Sequence, residues 1–136
     1  MKIKSEFGVA KWDETRCGEV SNGMVTAKAS IIFTVSGEMD GKLDVDYLLH
    51  YTHYDEANPH NSRATYVGFL TFSGSIGGKS GSFVLEDKGT NMSAGPVSEL
   101  TVKPDTGTGD FRGISGSGKY YANGGKMVIE IDYSVV

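Results

Sequence analysis

The side chains with the clearest chemical potential are a histidine and a carboxylate that occupy matching points of two apolar stretches. His53 comes two residues after Tyr51, and Asp87 comes two residues after Leu85. Alternate residues of a strand face the same side, so His53 and Asp87 would face the interior if these apolar neighbours do. Together with Tyr66, they are candidate acid–base groups, or they could fix the polar group of a ligand. The alternative is that each lies past the last buried layer, in water.

Aromatic side chains gather at one end of the same stretches. If successive strands run in opposite directions, the long connections at 13–23 and 55–62 lie at one end of the fold. The candidate ligand-binding residues also collect there: Trp12, Tyr51, His53, Tyr66, Asp87, Tyr120 and Met127. Small barrels bind ligands in the mouth, which apolar and aromatic groups line with a few polar ones. The alternative for Trp12 and Tyr66 is a structural role as aromatic caps of the core.

Other motifs fail on spacing or context. Gly-Gly-Lys-Ser at 77–80 resembles a phosphate-binding loop, but position 73 is Ser instead of the required glycine, and a strand-like run follows. His50 and His53 are three apart on a strand and would face opposite sides, while His60 is in a loop, so we expect no metal site. Cys17 has no histidine near it in sequence and is expected to be a bystander thiol. No cofactor is expected.

Composition narrows the class of protein. The chain has 136 residues, a net charge of −4 and 13 basic residues. The basic residues form no run, which argues against nucleic-acid binding. The length predicts one domain over residues 1–136. The apolar runs are too short for a membrane span or a signal peptide, and a single cysteine cannot form an internal disulfide. We therefore expect no membrane partner and a cytoplasmic location in a bacterium.

Alternation of apolar and polar residues predicts eight strands. In the clearest run, 25–36, the alternate residues on one face are all apolar: Val25, Ala27, Ala29, Ile31, Phe33 and Val35. An Asp-Gly turn is predicted at 39–41. Phe111 and Ile114 cannot both point inward along one strand without a bulge. Short connections favour an all-β fold, an eight-stranded antiparallel up-and-down barrel, with a two-sheet sandwich as the alternative.

Several stretches also resemble a known bacterial family. They are Trp-Asp-Glu at 12–14, SGSIGGKSGSFVLEDKGT at 73–90, GTGDFRGISGSGKY at 107–120 and Ile-Asp-Tyr at 131–133. Together they resemble the family known as domain of unknown function 3224, over nearly the whole chain. The resemblance implies a fold similar to plant allene oxide cyclase, an eight-stranded antiparallel barrel. It implies no activity, so no catalytic residues are transferred.

Three hypotheses for function follow. The first is a binding module that holds a small apolar or aromatic ligand in the barrel mouth, where the small residues Ala27 and Ala29 would leave room. The second is a cyclase- or isomerase-like enzyme on the same barrel. The third is a packed barrel that acts only through an oligomer interface, which outward apolar residues would form: Leu48, Tyr54, Val67 and Phe69. A homo-oligomer is expected.

Overall fold

The computed structural model describes residues 1–58 and 61–136, and in these residues the chain forms nine β-strands. Their bounds are β1 Lys2–Arg16, β2 Val25–Gly37, β3 Met39–His53, β4 Arg63–Ile76, β5 Lys79–Met92, β6 Gly95–Val102, β7 Thr108–Gly109, β8 Ile114–Asn123 and β9 Lys126–Val135. None of the described residues forms a helix long and apolar enough to cross a membrane.

Eight of the strands close into one antiparallel barrel. Each long strand pairs with the next along the chain, β6 pairs with β8 across the intervening β7, and β1 pairs with β9 to close the sheet. The remaining strand, β7, adds two residues against β5. The predicted eight-stranded up-and-down barrel is confirmed, and the sandwich alternative is wrong. Closure pairs the outer strands of the sheet with each other.

The alternating pattern determines which face of each strand is buried. On β2 every second residue from Val25 to Val35 is buried, while Lys28, Ser30 and Thr34 between them are exposed. The inward residues of the barrel strands join in one hydrophobic core. Burying a Val, Leu, Ile or Phe side chain contributes roughly 1.5–3 kcal/mol, so this face holds the strands in register.

The half of the interior near the tight turns is closed by aromatic rings. Phe72, Phe83 and Phe111 are 0% exposed, and the ring centroid of Phe83 lies 5.3 Å from those of both others. Phe111 precedes β8, in a turn where the Ile114 amide donates to its carbonyl oxygen at 3.0 Å. Both Phe111 and Ile114 are buried, because the turn changes the direction of the chain between them.

The turn predicted at 39–41 is wrong. β2 ends at Gly37 and β3 begins at Met39, so the chain reverses around Glu38. Met39 is buried, and its amide donates to Ser5 Oγ at 2.8 Å. Gly41 lies inside β3 opposite Gly74, so close that an added Cβ would stand 2.2 Å from a carbonyl oxygen of β4. The glycine therefore serves a close approach of two strands instead of a turn.

At the long-loop end of the barrel, β1 extends beyond the end of its neighbour β9. β9 pairs with Lys2–Phe7 of β1, whereas β2 pairs with β1 from Ser5 as far as Arg16. A register shift between Val9 and Lys11 marks a bulge in the strand. Beyond the bulge Trp12 pairs with Ile31 and therefore lies on the inner side of the sheet. Here that side is open to solvent, and Trp12 is 47% exposed. This rising segment forms one wall of the barrel mouth.

Candidate functional site

The inner half nearest the mouth contains a group of buried polar side chains, here named the carboxylate–phenol cluster. Its members come from five strands: Tyr47 of β3, Tyr66 of β4, Asp87 of β5, Ser98 of β6 and Tyr120 of β8. All five side chains are buried. The cluster contains three of the predicted site residues, namely Tyr66, Asp87 and Tyr120.

Two glycines allow the tyrosines to reach across the sheet. Tyr47 is opposite Gly68, and Gly68 is opposite Asp87, so the tyrosine and the carboxylate are two strands apart, about 10 Å between Cα atoms. The Tyr47 ring lies over Gly68, where an added Cβ would be 2.7 Å from it. In the same way the Tyr66 ring lies over Gly89, where an added Cβ would be 2.5 Å away. Each phenol thus bridges a strand that presents no side chain at that point.

A continuous line of hydrogen bonds joins the five residues. The hydroxyl oxygens of Tyr66 and Ser98 share one hydrogen bond of 2.6 Å, in which either is able to donate. The Tyr120 hydroxyl donates to that of Tyr66 at 3.1 Å. The hydroxyl oxygens of Tyr47 and Tyr120 are 2.5 Å apart, and the Tyr47 hydroxyl donates to Asp87 Oδ2. The polar atoms of the cluster therefore satisfy one another, with one exception. Asp87 Oδ1 has no hydrogen-bond partner among the described residues.

The environment of Asp87 opposes its ionisation. Burial raises the pKa of this carboxyl to about 6, and the hydrogen bond from Tyr47 only partly offsets that effect. Burial also raises the pKa of Tyr66 to about 12 and raises those of Tyr47 and Tyr120 above the ordinary value of 10.0. The three phenols are therefore neutral near pH 7, and Asp87 is the member of the cluster that titrates closest to it.

The cluster has four hydroxyl protons, one each from Tyr47, Tyr66, Ser98 and Tyr120, for its four hydrogen-bond contacts. One of these protons goes from Tyr47 to Asp87. Either oxygen is able to donate in the contacts between Tyr47 and Tyr120 and between Tyr66 and Ser98. The hydroxyls therefore link into one network that ends at Asp87.

The expected inward orientation of His53 is wrong. A register shift between Tyr51 and His53 interrupts the alternation at the end of β3, and His53 is exposed opposite Arg63. Asp87 does face the interior and is 3% exposed. The structure therefore does not bring together the proposed His53–Asp87 acid–base pair. The side chains near the carboxylate include Tyr47, which hydrogen-bonds Asp87, and Ser98, which hydrogen-bonds Tyr66. The sequence analysis did not predict a site role for either residue.

The other predicted ligand residues lie at the mouth. Glu14 accepts two hydrogen bonds there, from Trp12 Nε1 to its Oε1 at 3.2 Å and from the Tyr51 hydroxyl to its Oε2 at 2.7 Å. Burial and this hydrogen bond raise the pKa of Tyr51. The ring of Tyr54 meets that of Tyr51 edge-on, with 4.9 Å between centroids. We name these four residues the mouth cluster. Met127 is half-buried and packs against the core beside Phe7.

Metal-binding groups do not assemble in the part of the chain that the structure describes. No set of three or more His, Cys, Asp or Glu side chains there could hold an ion. His50 shares a hydrogen bond of 3.2 Å with Thr26 on the outer face of the barrel. Cys17 is exposed and free. His60 lies outside the described residues.

Comparisons with known proteins agree with the fold and add no activity. The family described as "Protein of unknown function (DUF3224)" matches residues 3–133. One similar solved structure is a DUF3224 protein of unknown function from Shewanella oneidensis MR-1. It is 22% identical, with a TM-score of 0.80 over 100% of this chain and 98% of that one. No curated protein matches the sequence. The likeness to allene oxide cyclase stays a prediction.

Proposed function

We propose that this chain, which belongs to the DUF3224 family of proteins of unknown function, binds a small ligand through the carboxylate–phenol cluster. The observation that carries the proposal is Asp87 Oδ1, a buried acceptor without a partner among the described residues. Leaving such an atom unpaired costs about 1–3 kcal/mol, so a group that donates to it gains that much. The ligand would therefore present an N–H or O–H group.

The surroundings of Asp87 define the rest of the ligand. The rings of Tyr47 and Tyr66 lie beside each other, with centroids 4.7 Å apart, and Phe33 and Phe7 extend the aromatic surface to Tyr120. Aromatic walls of this kind favour a flat or apolar body. The proposed ligand is thus a small aromatic or apolar molecule with one hydrogen-bond donor.

Entry would take place through the mouth. Tyr66 and Tyr120 are almost fully buried, so the side chains above them must move before a ligand can reach Asp87. We expect Tyr51 to be the side chain that moves. Its hydroxyl hydrogen-bonds to Glu14, and Glu14 lies on the partly exposed end of β1. The mouth cluster would then act as a cover that Glu14 holds in place.

A second candidate function is acid–base catalysis on the same cluster. Its support is the pKa of about 6 of a buried carboxyl that hydrogen-bonds a neutral phenol. Perturbed titrations of this kind are characteristic of catalytic sites as well as of binding sites. Asp87 would then transfer a proton to or from the bound molecule. In that case Asp87→Asn abolishes conversion of a ligand that the variant still binds.

The binding proposal is tested with pairs of probe molecules of similar shape. Phenol, aniline and indole carry a donor, whereas anisole and toluene do not, so the first three should raise the melting temperature and the last two should not. Asp87→Asn should remove the shift, and the exposed control Asp40→Asn should keep it. Affinity should increase as the pH rises from 5 to 7, because a donor favours the ionised carboxylate. Equal shifts with anisole and phenol would contradict the proposal.

Native mass spectrometry identifies the natural ligand. Protein purified from its own host should carry a bound molecule with a donor group, and protein with Asp87→Asn should lack it. A bound molecule without any N–H or O–H group, or one that both proteins retain, would speak against recognition by Asp87.

We propose the bacterial cytoplasm as the place where this binding occurs. A free, exposed thiol such as Cys17 is typical of a reducing compartment. Cell fractionation followed by immunoblotting tests the location, and recovery in an extracellular or membrane fraction would contradict it.

A further inference from the structure

Three large apolar side chains lie together on the outside of the barrel. Leu48, Val67 and Phe69 are 46%, 49% and 49% exposed. Leu48 is the direct partner of Val67 across β3 and β4, and Phe69 follows Val67 on the same face of β4. We name these three residues the outer apolar patch. Contiguous apolar side chains on a surface mark sites of interaction.

The surface around the patch is concave. Two neighbouring grooves, of about 810 and 670 Å³, are both lined by Leu48 and Val67, and Phe69 belongs to the larger one. The larger groove extends from β2, at Lys28, to β6, at Thr101. A surface of this form can receive side chains that project from another protein.

Charged side chains flank the patch in an ordered way. In one row across the sheet, Lys28, Leu48, Val67 and Lys88 are successive partners. The next row of outward-facing residues, two positions along each strand, consists of successive partners in the same way: Ser30, Asp46, Phe69 and Glu86. Immediately beside the patch, the row nearer the mouth therefore carries the positive charges of Lys28 and Lys88, and the other row carries negative charge. Glu99 follows Lys88 in the row nearer the mouth.

We propose that this surface binds a second copy of the chain as a symmetric dimer. A two-fold axis across the strands, between the two rows, places the positive row of each copy against the negative row of the other. Val67 then faces Phe69 of the other copy, and Lys88 faces Glu86 of the other copy. The same rotation places Leu48 opposite Asp46 of the other copy, at the side of the contact away from Lys88. Each contact occurs twice, as symmetry requires. A partner with charge of a single sign would meet repulsion from one of the rows, which favours the second copy.

The existing contacts of Glu86 are compatible with the proposed pair. Glu86 accepts a hydrogen bond from Lys103 at 2.6 Å, and Lys103 Nζ lies 5.8 Å from the centre of the Phe69 ring. A carboxylate has room for more than one donor. In the dimer Glu86 would lie between Lys103 of its own chain and Lys88 of the other copy.

Charge exchange tests the proposal, with mass measured by sedimentation equilibrium. Wild type should be a dimer at micromolar concentration, and both Lys88→Glu and Glu86→Lys should be monomers, since each places like charges together twice. An equimolar mixture of the two variants should return to dimers, because every pair across the interface is then of opposite charge. The exposed controls Lys79→Glu and Glu38→Lys make the same charge changes elsewhere and should remain dimeric.

Three outcomes overturn the proposal. The first is a wild-type protein that is monomeric at millimolar concentration, and the second is an assembly that both single variants leave intact. The third is a mixture of variants that stays monomeric. Because all four substituted side chains lie outside the barrel, ligand binding by the carboxylate–phenol cluster is measured independently on the same proteins.

Discussion

The two halves of the barrel interior are filled by different kinds of side chain. Near the tight turns, Phe72, Phe83 and Phe111 fill it with rings that need no polar partner. Nearer the mouth, tyrosines and a carboxylate fill it, and each polar atom needs a partner that the fold must supply. Apolar packing stabilises wherever it is dense, whereas a buried polar cluster stabilises only when it is complete. The polar half is incomplete at one atom of Asp87, and the proposed ligand binding is argued from that atom.

The largest expected effect comes from removing a ring in the apolar half. Phe83→Ala leaves a cavity between two other rings and should lower the free energy of unfolding by about 3–5 kcal/mol. Urea unfolding at pH 7 measures the change. Phe83→Leu is the control and should cost much less, because it retains most of the volume. A loss below 1 kcal/mol for Phe83→Ala would contradict the structural role assigned to this half.

In the polar half, stability should depend on the titration of Asp87. Its pKa is raised by burial from 3.8 to about 6, so the folded state favours the protonated carboxyl. The stabilisation from this group is complete below pH 4 and is lost as the pH rises to 6, by about 1.4 kcal/mol per pH unit. Asp87→Asn cannot ionise and should lack this loss. The measurement is the difference in unfolding free energy between the two proteins from pH 4 to 7.5, and a constant difference would contradict the shifted pKa.

The bridging geometry of the cluster depends on a missing side chain. Gly89→Ala introduces a methyl group 2.5 Å from the Tyr66 ring and should displace it, at a cost of about 1–3 kcal/mol. Gly8→Ala is the matched control, because an added Cβ there meets nothing within 4 Å. Tyrosine fluorescence and urea unfolding report the two changes. Equal stability of both variants would show that the ring does not lie over Gly89.

The smallest effect is expected at the mouth. Glu14→Gln weakens the hydrogen bonds from Trp12 and Tyr51, which are partly exposed to water, so stability should change by less than about 1 kcal/mol. The fluorescence of Trp12, the only tryptophan, should nevertheless respond to the loss of the carboxylate beside its indole. An unchanged emission spectrum would mean that Glu14 does not orient this side chain.

Alternation along the strands was sufficient to predict most of the fold and the position of Asp87. The inward set on β2 is the predicted one, and Asp87 faces the core because Leu85 does. The same reasoning gives the wrong side for His53, because a bulge at the end of β3 reverses which residues face inward. No residue type in this stretch predicts that bulge. It failed again at 39–41, where Asp-Gly indicates a turn but burial of Met39 outweighs that preference.

The cluster itself could not be assembled from sequence alone. Whether Tyr47 meets Asp87 depends on cross-strand register, and the residues are two strands apart. The sequence does contain one signal for the cluster, because Gly68 and Gly89 interrupt the inward face of strands that carry larger residues on either side. A glycine in a strand interior often marks a close approach, here by an aromatic ring from the preceding strand. Ser98 offered no comparable signal.

The unequal lengths of β1 and β9 also have a consequence for solubility. Past Phe7 the backbone of β1 turns one row of amide and carbonyl groups away from β2, without β9 alongside. Such a row invites pairing with any extended chain it meets. The bulge beside Val9 and the charges of Lys11, Asp13 and Arg16 make that segment irregular and hydrated, which discourages fibril growth from it. In the described residues this part of β1 is thus an open edge of the barrel, and the bulge and charged side chains along it disfavour pairing with another chain.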